Sequence, residues 1–362
     1  MPESLTDRIL EYLKPAEGSV VHLKDIRVAL NIEPGSKDDT NLRTQMTTIM
    51  VKRRIVSKIG VGKNDGAYKV VSQVKPVPIF GIERKRRPLF DLIFPRDYDT
   101  KREIDFARDI VMREGDVISI GGVKSKSKTT LCLNFTGENV DKRPVLMGNE
   151  YTVMTEGEDG VVTHEPSPRF LNRLDFMDVK NGGWINWVDD DGKDKIELLP
   201  VRDDFAEHIV KDRINIIDWI NLEGDRLFDI GKILEGIKTN LGKGIAIVAL
   251  QKGEGAGSPR GGQFVRDFSD VEILLDGYGE IDGKFILTIK GVKEKTAPIV
   301  GKTYAYTVGT EGTRIIDFHE VAKCPTCYGK GWKKAGITSI PCDICRKSGW
   351  VSADDDPSGD FS

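Results

Sequence analysis

Residues 122–129 read G-V-K-S-K-S-K-T, so Gly122, Lys128 and Thr129 stand at the spacing G-x-x-x-x-G-K-[ST], with Ser127 where a second glycine is expected. That spacing serves phosphate chemistry. Backbone N–H groups of Gly122, Val123, Lys124, Ser125, Lys126 and Ser127 and the start of the following helix meet phosphate oxygens. Lys128 meets the β/γ charge and the Thr129 hydroxyl holds Mg²⁺, with Thr130 completing the cradle. A serine in place of glycine obliges the backbone to carry a side chain close to phosphate. The apolar run before the loop and the apolar helix after it favour ATP binding over a lysine-rich surface turn.

Three further side chains suit the same reaction. Asp218 ends the run I-N-I-I-D. In an open α/β sheet ligands lie beyond the strand C-termini, so Asp218 is expected to face the Mg²⁺ held by Thr129. Glu150, after V-L-M-G-N, is the candidate to orient and deprotonate water. Gln251 ends the strand 244–250 and offers an amide that can bond a γ-phosphate and report its loss. The glycine-rich stretch 252–268, with Arg260 and Arg266, is a loop of the length that is usually functional.

Four cysteines make a second centre. Cys324-Pro-Thr-Cys327 and Cys342-Asp-Ile-Cys345 are separated by fourteen residues, and two C-x-x-C pairs at such spacing close a tetrahedral structural Zn²⁺ site with no position open for catalysis. The knuckles C-P-T-C-Y-G-K-G and C-D-I-C-R-K-S-G resemble those of Hsp40-type chaperone zinc modules, with one pair present. Lys330, Lys333, Lys334, Arg346 and Lys347 around them suit nucleic acid or an acidic partner. Cys132, the fifth cysteine, lies in the apolar helix after the phosphate loop. Reduced thiols are expected.

The elements that must position these groups follow from periodicity. Residues 1–72 read as helix, helix, helix, hairpin, with Leu5, Ile9, Leu10 and Leu13, then Leu23, Ile26 and Leu30, then Leu42, Met46, Ile49 and Met50 as apolar faces. This order resembles a winged helix with 40–53 as recognition helix and 58–69 as wing. Arg43, Gln45, Lys52, Arg53, Arg54 and Lys63 are its candidate DNA contacts. Residues 73–98 read as a linker carrying the basic run Arg84-Lys85-Arg86-Arg87, and its apolar end P-L-F-D-L-I-F-P, residues 88–95, is expected to pack on a neighbouring subunit or on the start of the next domain. From 99 to 310 apolar strands alternate with amphipathic helices, which implies an α/β core with a mainly parallel sheet; within it the insertion 152–187, with the polar stretch E-G-E-D-G and Trp184 and Trp187, discloses no role. Candidate strands are 117–120, 145–147, 214–217 and 245–250. Leu227, Ile230, Leu234 and Ile237 mark a helix between the last two, and 271–275 with 285–289 form a hairpin pair that extends the sheet antiparallel. The zinc module occupies 320–352, and 353–362 is an acidic tail of disordered composition.

The loop with its strand, the strand ending at Glu150, I-I-D-W-I-N-L-E-G-D, A-I-V-A-L-Q-K and R-G-G-Q-F resemble the RecA-type P-loop core of DnaB-like hexameric helicases, especially phage-encoded relatives. The resemblance implies a ring or filament, hexameric in the helicases, with ATP at subunit interfaces and single-stranded DNA at the centre. Through I-K-G-V-K-E-K-T-A-P it implies that Lys293 and Lys295 reach a neighbour's ATP. It also implies that Arg260 and Arg266 lie in a DNA-facing loop. A lysine pair neutralises charge but cannot clamp bidentately as arginine does. The N-terminal winged-helix-like region departs from the family pattern.

Composition bounds the rest. The 362 residues carry a net charge of −3, which excludes a uniformly basic nucleic-acid coat. The chain has neither a long apolar run nor a basic-then-apolar start, so a cytoplasmic protein is expected, in the host if phage-encoded, with no membrane partner. The expected function is an ATP-dependent motor on single-stranded DNA in phage DNA replication, with ATP, Mg²⁺ and Zn²⁺ as cofactors. Duplex DNA is a further partner through the winged helix and a replisome protein one through the acidic tail. Two other readings stay open: a recombinase-like or helicase-loading ATPase that binds DNA without unwinding it, and a non-catalytic adaptor that holds nucleotide structurally.

Overall fold

The computed structural model describes residues 4–59, 66–72, 88–148, 150–156, 162–220, 229–253, 255–335 and 338–353. The expected wing tip with Lys63, the run Arg84–Arg87, most of the E-G-E-D-G stretch, the residues after Ile220 including Leu227, and the acidic tail beyond Ala353 lie outside these. Among the described residues no helix is long and apolar enough to cross a membrane. The chain divides into two units, Met1–Lys85 and Arg86–Ser362.

The first unit contains α1 (Leu5–Leu13), β1 (Val20–His22), α2 (Leu23–Leu30), α3 (Lys37–Thr44), β2 (Val56–Lys58) and β3 (Ala67–Val70). Ser4 and Ser36 cap α1 and α3 by accepting from the N–H groups of Asp7 and Asp39, which satisfies donors that a helix start leaves open. The apolar spacing does what its period requires: Ile9, Leu13, Ile26, Leu42, Met46 and Met50 close one core. The third helix continues beyond α3 through a wider π-helical turn over Gln45–Met50. The three strands pair antiparallel in the order β1-β3-β2. Strand β1 between the first two helices is the element that periodicity did not reveal.

The second unit holds, in order, β4 (Val117–Gly122), α4 (Lys128–Glu138), β5 (Val145–Met147), β6 (Thr152–Glu156), β7 (Val162–Pro166), α5 (Pro168–Met177), β8 (Glu197–Leu199), β9 (Ile214–Ile220), α6 (Ile230–Asn240), β10 (Ile245–Gln251), α7 (Gln263–Phe268), β11 (Val271–Gly277), β12 (Lys284–Val292), β13 (Thr303–Val308), β14 (Ile315–Lys323), β15 (Trp332–Ala335), β16 (Thr338–Pro341) and β17 (Trp350–Ser352). Ten strands form one mixed sheet in the order β17-β14-β13-β12-β11-β4-β10-β9-β5-β8. From β11 to β8 every pairing is parallel, and from β11 to β17 every pairing is antiparallel. Parallel strands are covered on both faces, and β4, buried along its whole length, is accordingly apolar without alternation. One face packs on α4, itself buried nearly all round, and the other on α6.

Two regions sit differently from their outline in the sequence. Residues 88–98, at the end of the expected linker, join the core: Phe94 meets the Phe106 and Phe135 rings edge-on, and the Asn139 amide bonds both the N–H and the C=O of Ile93. The cysteine-bearing segment is an excursion from the sheet, leaving at the end of β14 and returning as β17, with the ribbon β15–β16 between.

Candidate functional site

Strand β4 ends at Gly121 and Gly122, and both must lack a side chain. A Cβ at Gly121 would lie 2.6 Å from Pro259 Cγ, and one at Gly122 would lie 3.0 Å from Lys128 Cγ. The space at Gly122 lets Lys128 fold back over the strand end, where its Nζ donates to the carbonyls of Gly122 (3.0 Å) and Val123 (2.9 Å). Lys128 is buried, which lowers its pKa, while the Asp218 charge works the other way. Ser125 and Ser127 have φ of 60° and 54°. Position 127 therefore adopts the left-handed conformation for which glycine is the usual residue. Its Oγ lies 2.5 Å from the Tyr306 hydroxyl on β13, so the serine side chain is turned from the phosphate side and fixed. Nothing in the sequence linked these two residues.

Asp218, on β9, is buried. Its Oδ2 accepts from the Tyr151 hydroxyl at 2.5 Å, and its Oδ1 has no hydrogen-bond partner. Burial raises the Asp218 pKa, against lowering by the Tyr151 and Thr129 hydroxyls and Lys128. An unpartnered carboxylate oxygen in so dry a place is costly unless something positive meets it. Asp218 and the Thr129 hydroxyl are hard oxygen donors of the kind Mg²⁺ takes, so the residues present fit that ion. Gly148 makes the approach possible, because a Cβ there would come within 2.2 Å of the Asp218 carbonyl.

A cavity of about 760 Å³ has Lys124, Ser125, Lys128 and Thr129 on one side and Glu150, Gln251 and Arg260 among its other walls, with Tyr151, the partner of the buried Asp218, also in its lining. Its size is within the range of roughly 300–1,000 Å³ typical of small-ligand sites. Glu150 Oε1 accepts from Trp219 Nε1 at 3.4 Å, and the Gln251 carbonyl accepts from the Arg260 N–H at 2.8 Å. Arg169 and Arg173, one turn apart on α5, also line the cavity. They come from the stretch whose role the sequence did not disclose; two arginines four residues apart were the available signal.

The remaining candidates lie elsewhere. Thr130 donates to the Gly312 carbonyl at 2.8 Å, and with Lys126 it borders a smaller hollow of about 260 Å³ beside the loop. Lys293 pairs with Asp270 at 3.1 Å, and Asp270 accepts from the N–H of Val117, where β4 begins. Lys293 is thus at the end of the sheet opposite the phosphate loop. Lys295 is exposed and bridges to Ile110. Arg266 pairs with the buried Glu272 at 3.3 Å. In the first unit Arg43 lies 3.6 Å from Asp39, and Lys52 and Arg53 are exposed.

Cys324, Cys327, Cys342 and Cys345 are buried with their sulfurs all within 4.8 Å of one another. Gly331 and Gly349 donate backbone N–H groups to the sulfurs of Cys327 (3.2 Å) and Cys345 (3.3 Å). The knuckles interlock through their glycines: a Cβ at Gly331 would meet the Lys347 carbonyl at 2.3 Å, and one at Gly349 the Gly329 carbonyl at 2.5 Å. Backbone N–H groups of Cys345 and Ile344 bring the Cys342 pKa down to about 7. Four converging sulfurs with N–H···S support fit zinc held structurally.

No family model and no curated protein matches this chain. Among solved structures, the chain is similar to the RadB recombinase at 16% identity, covering 56% of this chain and 91% of that one with a TM-score of 0.39. It is also similar to a DnaB-like replicative helicase at 12% identity, covering 62% of this chain and 63% of the helicase with a TM-score of 0.39. Likeness of this degree carries no argument about activity, which rests on the site's own geometry.

Proposed function

We propose that the chain is an ATPase directed to single-stranded DNA. The observation that carries this reading is the meeting around one cavity of the buried Lys128, Thr129 and the Glu150 carboxylate, with the buried Asp218, its Oδ1 unpartnered, held by Tyr151 of the cavity wall. Lys128 neutralises triphosphate charge from within a dry pocket, where its electrostatic effect is greatest. Thr129 and Asp218 would hold magnesium, which would supply neutralisation of phosphate charge. Glu150, oriented by Trp219, takes the proton of the attacking water, and Gln251 senses the γ-phosphate.

The exposed cations Arg43, Lys52 and Arg53 support DNA contact by a winged-helix-like first unit, whereas Arg260 stands in the cavity wall and Arg266 lies on α7, paired with Glu272, rather than in a DNA-facing loop. The position of Lys293 at the end of the sheet away from the phosphate loop supports a role toward a neighbouring copy in a ring or filament, with Lys295 beside it. The finer reading is a replicative-helicase-like motor. Calorimetry with ATP and Mg²⁺, followed by hydrolysis with and without oligo(dT), tests the proposal. Stimulated turnover that disappears in Lys128→Ala and Glu150→Gln is expected. No nucleotide uptake by zinc-replete protein, or turnover in both variants unaltered from the parent, sinks it.

A further inference from the structure

The cysteine-bearing excursion has a face apart from the phosphate site, on which the ligand Cys327 is bordered by side chains that zinc binding does not use. An open hollow of about 860 Å³ lies there, lined by Tyr328, Lys330, Trp332, Lys333 and Lys334 together with small polar residues and no carboxylate. Tyr328 directly follows the second ligand Cys327, in the left-handed conformation with φ of 52°, and is 79% exposed. A tyrosine this exposed buries little of the apolar area that ordinarily justifies an aromatic. Its N–H is held by the Cys324 carbonyl at 2.8 Å, so the backbone beneath the ring is fixed by the knuckle itself. Trp332 stands in the same hollow with the Lys347 ammonium 4.8 Å from its ring centroid. Lys333 is bonded to Asp343, whereas Lys330 and Lys334 are exposed and pair with no carboxylate among the described residues.

We infer that this face is a stacking platform for single-stranded nucleic acid. Tyr328 takes the face of a base, and Lys330 and Lys334 meet the flanking phosphates. A flat ring on a rigid support surrounded by cations is what strand binding without base-edge readout needs, because every base has a stackable face. An acidic peptide would use the lysines but give the exposed ring no role. The inference rests on the reading of single-stranded DNA as the partner and supplies a contact site remote from the phosphate loop in sequence.

The test is fluorescence anisotropy of labelled oligo(dT) with the full chain carrying one equivalent of zinc and no nucleotide. Tyr328→Ala is expected to weaken binding about 5- to 150-fold, and Tyr328→Phe to retain it. Lys330→Glu and Lys334→Glu should each flatten the salt dependence by about 0.7 in the log–log slope. Zinc content measured on every variant shows that the knuckle is intact. Oligo(U) bound with the same Tyr328 dependence extends the site to RNA and supports the stacking chemistry. Equal affinity of Tyr328→Ala and the parent, a preference for duplex, or displacement of oligo(dT) by polyglutamate overturns it. Calorimetry with ATP on the same preparations separates the two proposals: ATP uptake with oligo(dT) binding that is indifferent to Tyr328→Ala refutes this one alone, and Tyr328-dependent binding without ATP uptake refutes the nucleotide reading alone.

Discussion

Ser127 on the phosphate loop and Tyr306 on β13 share a hydrogen bond of 2.5 Å, joining the loop to a strand of the antiparallel half of the sheet. The bond accompanies a left-handed serine, a conformation that costs a non-glycine residue about 1–2 kcal/mol.

Restoring the usual glycine is therefore not expected to help. Ser127→Gly relieves the backbone but strands a buried hydroxyl, a loss of about 1–3 kcal/mol. Thermal melts should show Ser127→Gly no more stable than the parent, with Tyr306→Phe added to it recovering stability. A marked gain from the single change would contradict this account.

The raised pKa of Asp218 sets the sign of a pH effect. A carboxyl held above its unfolded value favours the folded state most when protonated, so ionisation costs stability as pH rises from the unfolded value through the folded one. Asp218→Asn should raise the melting temperature of metal-free protein at pH 8 while abolishing stabilisation by Mg²⁺ and nucleotide. Stabilisation of the parent by magnesium nucleotide should be larger at pH 8 than at pH 5.

Gly148→Ala brings a methyl group against the Asp218 carbonyl, at 2.2 Å before relaxation. Overpacking of this kind typically costs about 1–3 kcal/mol. Weaker magnesium-dependent nucleotide binding is expected in calorimetry, with the zinc content of the chain unchanged.

Chelation should act locally. Removing zinc is expected to release one equivalent of metal and alter the emission of Trp332 and Trp350, which border the cysteine excursion. ATP uptake at the phosphate loop should persist. Loss of both together would show the two centres to be coupled.

In the first unit, Asp39 accepts from the Gly35 N–H and from Arg27, and these bonds hold its carboxyl below the ordinary range. A lowered pKa contributes stability that is present above the unfolded value and lost as pH falls through the folded one. Asp39→Asn should make the first unit's melt less sensitive to acid, read by hydrogen exchange over α2 and α3.

Local chemistry was legible in the sequence where one short segment carries it. The phosphate loop and paired cysteines are such segments, and β4, β5, β9 and β10 were visible as runs buried on both faces. The hairpin of β11 and β12 followed from its turn. What was hidden depends on distant pairing. Tyr306 lies 179 residues from Ser127, and Arg169 and Arg173 reach the cavity only through the placement of α5. Phe94 looks like linker until Phe106 and Phe135 close on it. Tyr151, next to Glu150, gave no sign because a tyrosine beside a candidate base is as readily a core residue.

The return of the chain as β17 has a practical consequence. Its three residues cover Val321–Lys323 at the end of β14, and an uncovered strand margin recruits other chains. Truncation after the first cysteine pair would bare that margin, so shortened proteins meant only to discard the metal lobe are expected to aggregate.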